Sequence, residues 1–296
     1  MRLPALLLSL PLLAVPRDAA AEPLRVICFG AHPDDCDIKA GGAAVKWAAA
    51  GHAVKFVSLT NGNAGHQEQG GGLLAARRRG EAAESGRRGG VAYEVLQNED
   101  GELLPTLEAR RDVIRRIRDW RADLVLAPRA NDYHPDHRYT AVLVQDAAYM
   151  VTVPNLVADA PVLRGNPVFA YLADPFQKPS PFRADVVVAV DDVLARKLDM
   201  LDAHASQFYE WLPWHAGQLD QVPREAAGRR AWLATQWPAY AGAFGLAAGR
   251  PDWRAALEKR YGARAAAVRE AEAFEIAEYG RQPDEGELRR LFPFFP

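Results

Sequence analysis

The sequence predicts an α/β fold: a Rossmann-like parallel sheet flanked by helices, with an aromatic-rich helical C-terminal extension. Three observations predict it. Apolar strand-like runs alternate with Ala-, Arg- and Glu-rich helix-like stretches from Ala31 to about Asp192, and such alternation implies parallel strands joined by right-handed crossovers. The first apolar run, Leu24 to Gly30, is rich in β-branched and aromatic residues and leads straight into the polar cluster Ala31-His32-Pro33-Asp34-Asp35. That places a His and two Asp at the carboxyl end of a buried strand, where open parallel sheets bind ligands. From Tyr209 onward the character changes, with Trp211, Trp214, Trp232, Trp237 and Trp253 accumulating and Pro213, Pro223 and Pro238 breaking the pattern.

In chain order, Gly41–Ala50 reads as a helix, Ala53–Thr60 as a strand, Leu73–Arg88 as a helix and Val91–Gln97 as a strand. Leu107–Arg121 is the next helix, because Val113, Ile114, Ile117 and Trp120 recur at helical spacing, and Asp123–Ala127 is the fourth strand. His137–Val151 reads as a helix, Val168–Leu172 and Val186–Val190 as strands, and Asp192–Phe208 as a helix whose opening Asp pair suits its N-terminus. The segment Ala255–Tyr279 is helical in composition. The expected division is therefore a signal segment over 1–21, a sheet domain over 22–208 and a helical extension over 209–296 packed on it.

Residues 1–21 combine Arg2, an apolar stretch from Leu3 to Val15 and the small residues Ala19-Ala20-Ala21. This is the pattern of a cleaved secretory signal, its apolar part shorter than the roughly 20 residues that span a bilayer. The protein is thus expected to be exported, periplasmic or extracellular, and to start near Glu22. No later stretch reads as a transmembrane helix. A formal net charge of −2 gives no general pull towards nucleic acid or anionic lipid. The basic runs Arg77-Arg78-Arg79 and Arg115-Arg116 with Arg118 fit solvated helix faces, Arg78 excepted. Two cysteines, Cys28 and Cys36, do not make a disulfide scaffold and are expected to be buried thiols.

A second polar cluster, Asn131-Asp132-Tyr133-His134-Pro135-Asp136-His137, follows the strand ending at Ala127. If both strands share a sheet, the two clusters face each other. The loops Asn61–His66 and Asn98–Gly101 join the same edge, so four polar loops converge there. Two His and one Asp could bind Zn²⁺ and leave a position open for water, and the Pro after each leading His restricts the backbone. The bland alternative, helix-capping Asp and surface His, explains neither the pairing nor the matching placement.

Ala31-His32-Pro33-Asp34-Asp35 together with His134-Pro135-Asp136-His137 resembles the two signature motifs of the PIG-L/LmbE-like zinc N-deacetylases. The resemblance runs from about Leu24 to Gln207. It implies zinc ligands at His32, Asp35 and His137, a general base at Asp34, and His134 as oxyanion stabiliser or acid, with Asp136 as its orienting partner. Arg78 is similar to a family Arg that contacts substrate, with Tyr133 and Asp100 expected beside it. His204, Ser206 and Gln207 also match a family segment, without an assigned role. Where many members have Glu after the Asp pair, this chain has Cys36 and then Asp37, so Asp37 inherits any supporting role.

The activity implied is metal-assisted hydrolysis that removes an N-acyl group, N-acetyl in the first instance, from an amino sugar or related amide. Three rivals are weaker. The same ligands form the facial triad of non-haem iron oxygenases, usually on another architecture. A dinucleotide site would need a Gly-rich turn where this chain has carboxylates. A secreted glycan-binding module with an inactive metal site, using the aromatic C-terminal part as a platform, would bind N-acetylated oligosaccharides without releasing product.

Overall fold

The computed structural model describes residues 22–296; the expected signal segment, 1–21, lies outside the described residues. Six strands are laid down in turn with their helices: β1 (Arg25–Gly30), α1 (Asp35–Ala49), β2 (Ala53–Thr60), α2 (Gly71–Gly89), β3 (Ala92–Asn98), α3 (Leu107–Trp120), β4 (Leu124–Ala127), α4 (Pro135–Met150), β5 (Val168–Leu172) and β6 (Val186–Ala189). Then come α5 (Leu194–Ala203), a π-helical turn (Gln207–Trp211), α6 (Leu212–His215), α7 (Ala226–Ala243), α8 (Pro251–Tyr261), β7 (Ala271–Gly280) and α9 (Glu285–Leu291).

The sheet has the order β3-β2-β1-β4-β5-β7-β6. β1 pairs in parallel with β2 on one side and with β4 on the other. The chain therefore winds outward from β1 in both directions, and the order reverses between β1 and β4. At such a switch point the loops leave in opposite directions and open a crevice at the carboxyl ends of the two strands. His32 follows β1 and His134 follows β4, so the two sequence clusters flank that crevice.

Alternation along the strands sorts the core. Val26 and Cys28 face a cluster with Trp47 and the alanines of α1, whereas Ile27 and Phe29 face Val113, Ile114 and Ile117 of α3 and Leu143 and Val144 of α4. Both faces of β1 are buried, which accounts for its unbroken apolar run. A third cluster joins Ile38, Leu198 and Leu201 to Phe208, Leu233, Trp237, Trp253 and Leu257 from the C-terminal part.

The structure departs from expectation in four places. First, α1 starts at Asp35, six residues before the expected Gly41, because the motif loop is itself the start of the helix. Second, the helix expected over Asp192–Phe208 stops at Ala203 and resumes as the π-helical turn. Third, the second part of the segment expected to be helical, 271–280, is strand β7, which runs antiparallel between β5 and β6. Its Ala and Glu residues favour helix, but two open strand edges outweigh local propensity. The part after Tyr209 is thus not solely a helical extension, since it supplies an inner strand of the sheet.

The fourth departure is Arg118, which is fully buried instead of lying on a solvated face. Its guanidinium donates to the carbonyls of Met150, Val151, Val153, Leu156, Val157 and Ala160. It collects the orphan acceptors at the carboxyl end of α4 and the loop beyond. No helix among the described residues is long and apolar enough to cross a membrane.

Candidate metal centre

The first half of the site is built by the turn from β1 into α1. Gly30 is required there: a Cβ on it would meet the Asp35 Cβ at 2.8 Å. The close approach lets Asp35 Oδ2 accept hydrogen bonds from the backbone N–H of Ala31 and His32, both at 2.8 Å. Asp34, just before the helix, has φ 137° and ψ −25°, a conformation costing on the order of 1–3 kcal/mol for a non-glycine residue. Its N–H donates to the Tyr93 hydroxyl at 3.0 Å, and its carbonyl accepts the first helical bond from Ile38 at 2.9 Å. Tyr93 in turn donates to Asp37 at 2.9 Å, and Asp37 also accepts from Ser85 and lies 3.3 Å from His204 Nε2. Asp37, in the supporting role expected of it, and His204, which had no role assigned from sequence, thus form a buried support behind Asp34.

The second half comes from the loop between β4 and α4. His134 precedes α4, and its Nδ1 accepts from the Asp136 N–H at 3.2 Å. The proton of a neutral imidazole must then sit on Nε2, making that nitrogen a donor. Burial, reinforced by His32 and His137, holds the His134 pKa below its ordinary value and favours this neutral form.

The two halves meet at His32. His32 Nδ1 lies 3.2 Å from His137 Nε2 and 3.7 Å from Asp35 Oδ2, and His137 Nε2 lies 3.5 Å from the same oxygen. Three ligand atoms about 2.0–2.2 Å from a tetrahedral zinc would be roughly 3.3–3.6 Å apart, so this triangle has the size to hold one divalent ion. The remaining nitrogens are also engaged. His32 Nε2 faces Asp100 at 3.0 Å and Asp136 at 3.2 Å, and His137 Nδ1 faces Asp132 at 3.1 Å. Carboxylates on the far nitrogens fix the tautomer that leaves the near ones free to ligate.

The electrostatics agree. Burial alone would lower the His32 pKa, but hydrogen bonds to Asp100 and Asp136 and the charge of Asp35 more than offset it and raise it to about 10. The same carboxylates, Asp35, Asp100 and Asp136, give the site a negative field that suits a cation. Two other groupings, His32 with His134 and His137, and His32 with Asp100, His134 and Asp136, also bring one ligand atom from each residue within 4.8 Å, the first without an anionic ligand and the second using His134. The triangle with Asp35 fits better, because it includes an anionic ligand and leaves His134 Nε2 free.

One expected partnership differs from expectation. The Asp136 carboxylate orients His32 rather than His134; it also accepts from Gly101 N–H at 2.7 Å and Leu103 N–H at 3.2 Å. Arg78 is 2% exposed, donates to the carbonyls of Pro33 and Gly62, and lies 3.4 Å from Asp34. Its guanidinium braces this loop and also lines the cavity, beside Asp34. Asp100 and Tyr133 both line the cavity, Tyr133 as an exposed side chain 5.7 Å from the His134 ring. Cys36 points away, its Sγ donating to Cys28 O at 3.3 Å, and burial pushes its pKa well up. It is neither deprotonated nor at the ligand triangle. Asp132 and Tyr93 were missed; Asp132 carried a signal, being inside the second polar cluster, two residues before His134.

Burial raises the Asp34 pKa to about 6, with Asp35 adding to the rise and Arg78 opposing it. Its carboxylate is outside the ligand triangle, beside a cavity of about 700 Å³ that His32, His134 and His137 also line.

Known proteins resemble this one in both sequence and fold. The PIG-L family, described as GlcNAc-PI de-N-acetylase, matches residues 27–148, a span containing both motifs. The diacetylchitobiose deacetylase of Thermococcus kodakarensis is 33% identical over 201 residues, covering 64% of this chain and 73% of that protein. Among solved structures, the N,N'-diacetylchitobiose deacetylase of Pyrococcus horikoshii superposes with a TM-score of 0.63 at 26% identity, covering 85% of this chain and 83% of the other. The 4-carboxy-2-hydroxymuconate hydratase GalB of Pseudomonas putida superposes with a TM-score of 0.62 at 18% identity over 88% and 99% of the two chains, a likeness of fold alone. With both motifs inside the matched span and 33% identity across most of a deacetylase relative, this chain belongs to the PIG-L family.

Proposed function

We propose that the protein is a zinc-dependent hydrolase that removes the acetyl group from an N-acetylated amino sugar. The observation that carries this reading is the ligand triangle of His32, Asp35 and His137 with a carboxylate, Asp34, left free beside it. The likeness to diacetylchitobiose deacetylases supports the substrate class. A zinc ion held by these three residues would supply Lewis-acid polarisation of the acyl oxygen and a more acidic water.

The chain's own groups account for the rest. Asp34 takes a proton from the attacking water as its oxygen bonds to the acyl carbon. A pKa near 6 leaves it ionised at neutral pH yet basic enough to accept that proton. His134, neutral and protonated on Nε2, donates a hydrogen bond to the acyl oxygen as negative charge develops there. When the C–N bond breaks, the nitrogen takes up a proton and leaves as an amine, and Asp34 now carries the proton it needs. Asp136 and Asp132 hold the two ligand imidazoles in register, and Arg78 fixes Asp34 from behind.

The test combines elemental analysis with acetate release from N-acetylated sugars. One zinc per chain and chelator-sensitive release are expected; full activity in metal-free protein would overturn the reading, and tight binding without release would favour a glycan-binding module. The export proposed from residues 1–21 places the substrate in the envelope or outside the cell. Intact-mass measurement of envelope or secreted protein should give a start near Glu22, and a soluble cytoplasmic form retaining Met1 would refute it.

A further inference from the structure

Asp34 stands at the N-cap of α1 but does not cap it. An N-cap Asp ordinarily has extended backbone and turns its carboxylate onto the N–H groups of the first helical turn. Here φ is 137°, the side chain makes no capping bond, and it lines the cavity beside the metal centre instead. The strained backbone is what frees this carboxylate for chemistry, and it has to be held.

The peptide joining Pro33 to Asp34 is gripped at both ends. Its carbonyl accepts from Arg78 Nη2 at 2.8 Å, and its N–H donates to the Tyr93 hydroxyl at 3.0 Å. A half-turn of that peptide would take the Asp34 φ into the ordinary negative range, so both bonds oppose relaxation. An amide N–H only donates, so the hydroxyl accepts from Asp34 and keeps its own proton for Asp37, 2.9 Å away. In a capping box the third helical residue bonds the N-cap N–H directly. Asp37 is that residue in α1, and it reaches the Asp34 N–H only through Tyr93.

We propose that Tyr93 is a positioning residue for the general base: its hydroxyl, with Arg78 opposite, keeps the Pro33–Asp34 peptide turned so that the Asp34 carboxylate faces the cavity. The inference rests on the deacetylase reading for what Asp34 does there. The Tyr93 ring is itself confined. It meets the Phe56 ring edge-on at 5.6 Å and lies 6.2 Å from the His204 ring. Gly86 of α2 lets the helix come close, since a Cβ there would meet Tyr93 Cβ at 3.2 Å. Asp37 is fixed in turn by the Ser85 hydroxyl, which donates to its other oxygen, and by His204 Nε2 at 3.3 Å. All three of these side chains are fully buried, so the support behind the hydroxyl is rigid.

The test compares zinc-loaded wild type, Tyr93→Phe, Asp34→Asn and the double variant on N-acetylglucosamine and its β-linked disaccharide. Tyr93→Phe should lower kcat by about ten- to a hundredfold, the scale on which misplacing a reacting group acts, while KM and zinc content stay unchanged. In the Asp34→Asn background the same substitution should cost nothing further, because Tyr93 acts through a carboxylate no longer present; a merely structural role would slow both backgrounds alike. A crystal structure of Tyr93→Phe, which needs no turnover, should show the peptide turned and the Asp34 φ negative. Should Tyr93→Phe fail to fold, Ser85→Ala loosens Asp37 one bond further back and should give a smaller kcat loss that again vanishes with Asp34→Asn. A Tyr93→Phe enzyme as fast as wild type, a loss that persists in the Asp34→Asn background, a peptide left unturned, or, in the fallback, no loss from Ser85→Ala would each overturn the proposal. If wild type releases no acetate from either sugar yet the peptide turns in Tyr93→Phe, the deacetylase reading fails while the hold on Asp34 stands.

Discussion

Asp34 and Asp35 are neighbours in sequence with opposite electrostatic fates. The Asp35 pKa is held below its usual value because His137, His32 and two backbone N–H groups outweigh the cost of its burial, whereas burial raises that of Asp34. A low-pKa carboxylate suits ligation and a raised one suits proton transfer. Asp34→Asn keeps the shape and removes the basicity, so it is expected to retain zinc while kcat falls by about 10²–10⁴. His32→Ala, Asp35→Ala and His137→Ala should each lose most of the metal, and Cys36→Ser should keep it. Zinc stoichiometry and acetate release on the same preparations decide the matter, and an Asp34→Asn variant as fast as wild type would sink the assignment. At this scale the candidate ligands were legible, because each short motif places its His and Asp within one turn of chain. Their supports were harder to read. Asp136 orients His32 across 104 positions of sequence and Tyr93 reaches Asp34 across 59, separations that only the paired strands bring together.

Among the elements, α3 and α4 show how a sequence-level face can mislead. Val113, Ile114 and Ile117 are fully buried as their spacing indicates, but Arg118, next in the chain, goes inward too. Its reason is at the far end of another helix: the carbonyls that close α4 and the loop from Val151 to Ala160 converge on one guanidinium. An Arg fork supplies several donors in a plane where a Lys gives a single point. Arg118→Met should therefore destabilise the fold by at least ~2 kcal/mol, since buried acceptors lose their partner, and Arg118→Lys should recover only part of it. Chemical denaturation measures both; a change within ~0.5 kcal/mol for Arg118→Met would show that water replaces the guanidinium. The strands β1 to β6 were readable from their β-branched runs. β7 was not, because Glu272, Glu275 and Glu278 give it a helical look, and Glu272 is buried only by virtue of Lys197 at 2.7 Å and the N–H groups of Gly42 and Ala43.

That buried pair has a consequence for the molecule as a whole. Glu272 on β7 reaches α1, the helix that begins with the candidate ligand Asp35, and Lys197 on α5 joins the same knot by donating to Ile38 O at 2.8 Å. The last part of the chain also completes the core: Phe274, Leu291 and Phe292 lie in the same cluster as Trp47 and Val26, and Trp47 Nε1 donates to Leu291 O at 2.8 Å. A sheet domain over 22–208 with an appended extension would fold on its own. The structure argues otherwise, because removing 209–296 takes β7 from between β5 and β6, strips β6 of its neighbour in the sheet and takes from Lys197 both Glu272 and the covering Trp237 ring. The loss also takes Phe274, Leu291 and Phe292 out of the cluster around Trp47, at a cost of about 3–5 kcal/mol for each large apolar side chain removed from a core, against the 5–15 kcal/mol that holds a typical domain together. A fragment ending at Phe208 is thus expected to lack a cooperative thermal transition and to bind zinc weakly, whereas the chain over 22–296 should melt in a single step. Calorimetry of the two proteins checks this. A fragment with a sharp transition and full zinc content would restore the two-part division and make the C-terminal strand an addition to a sheet already stable without it.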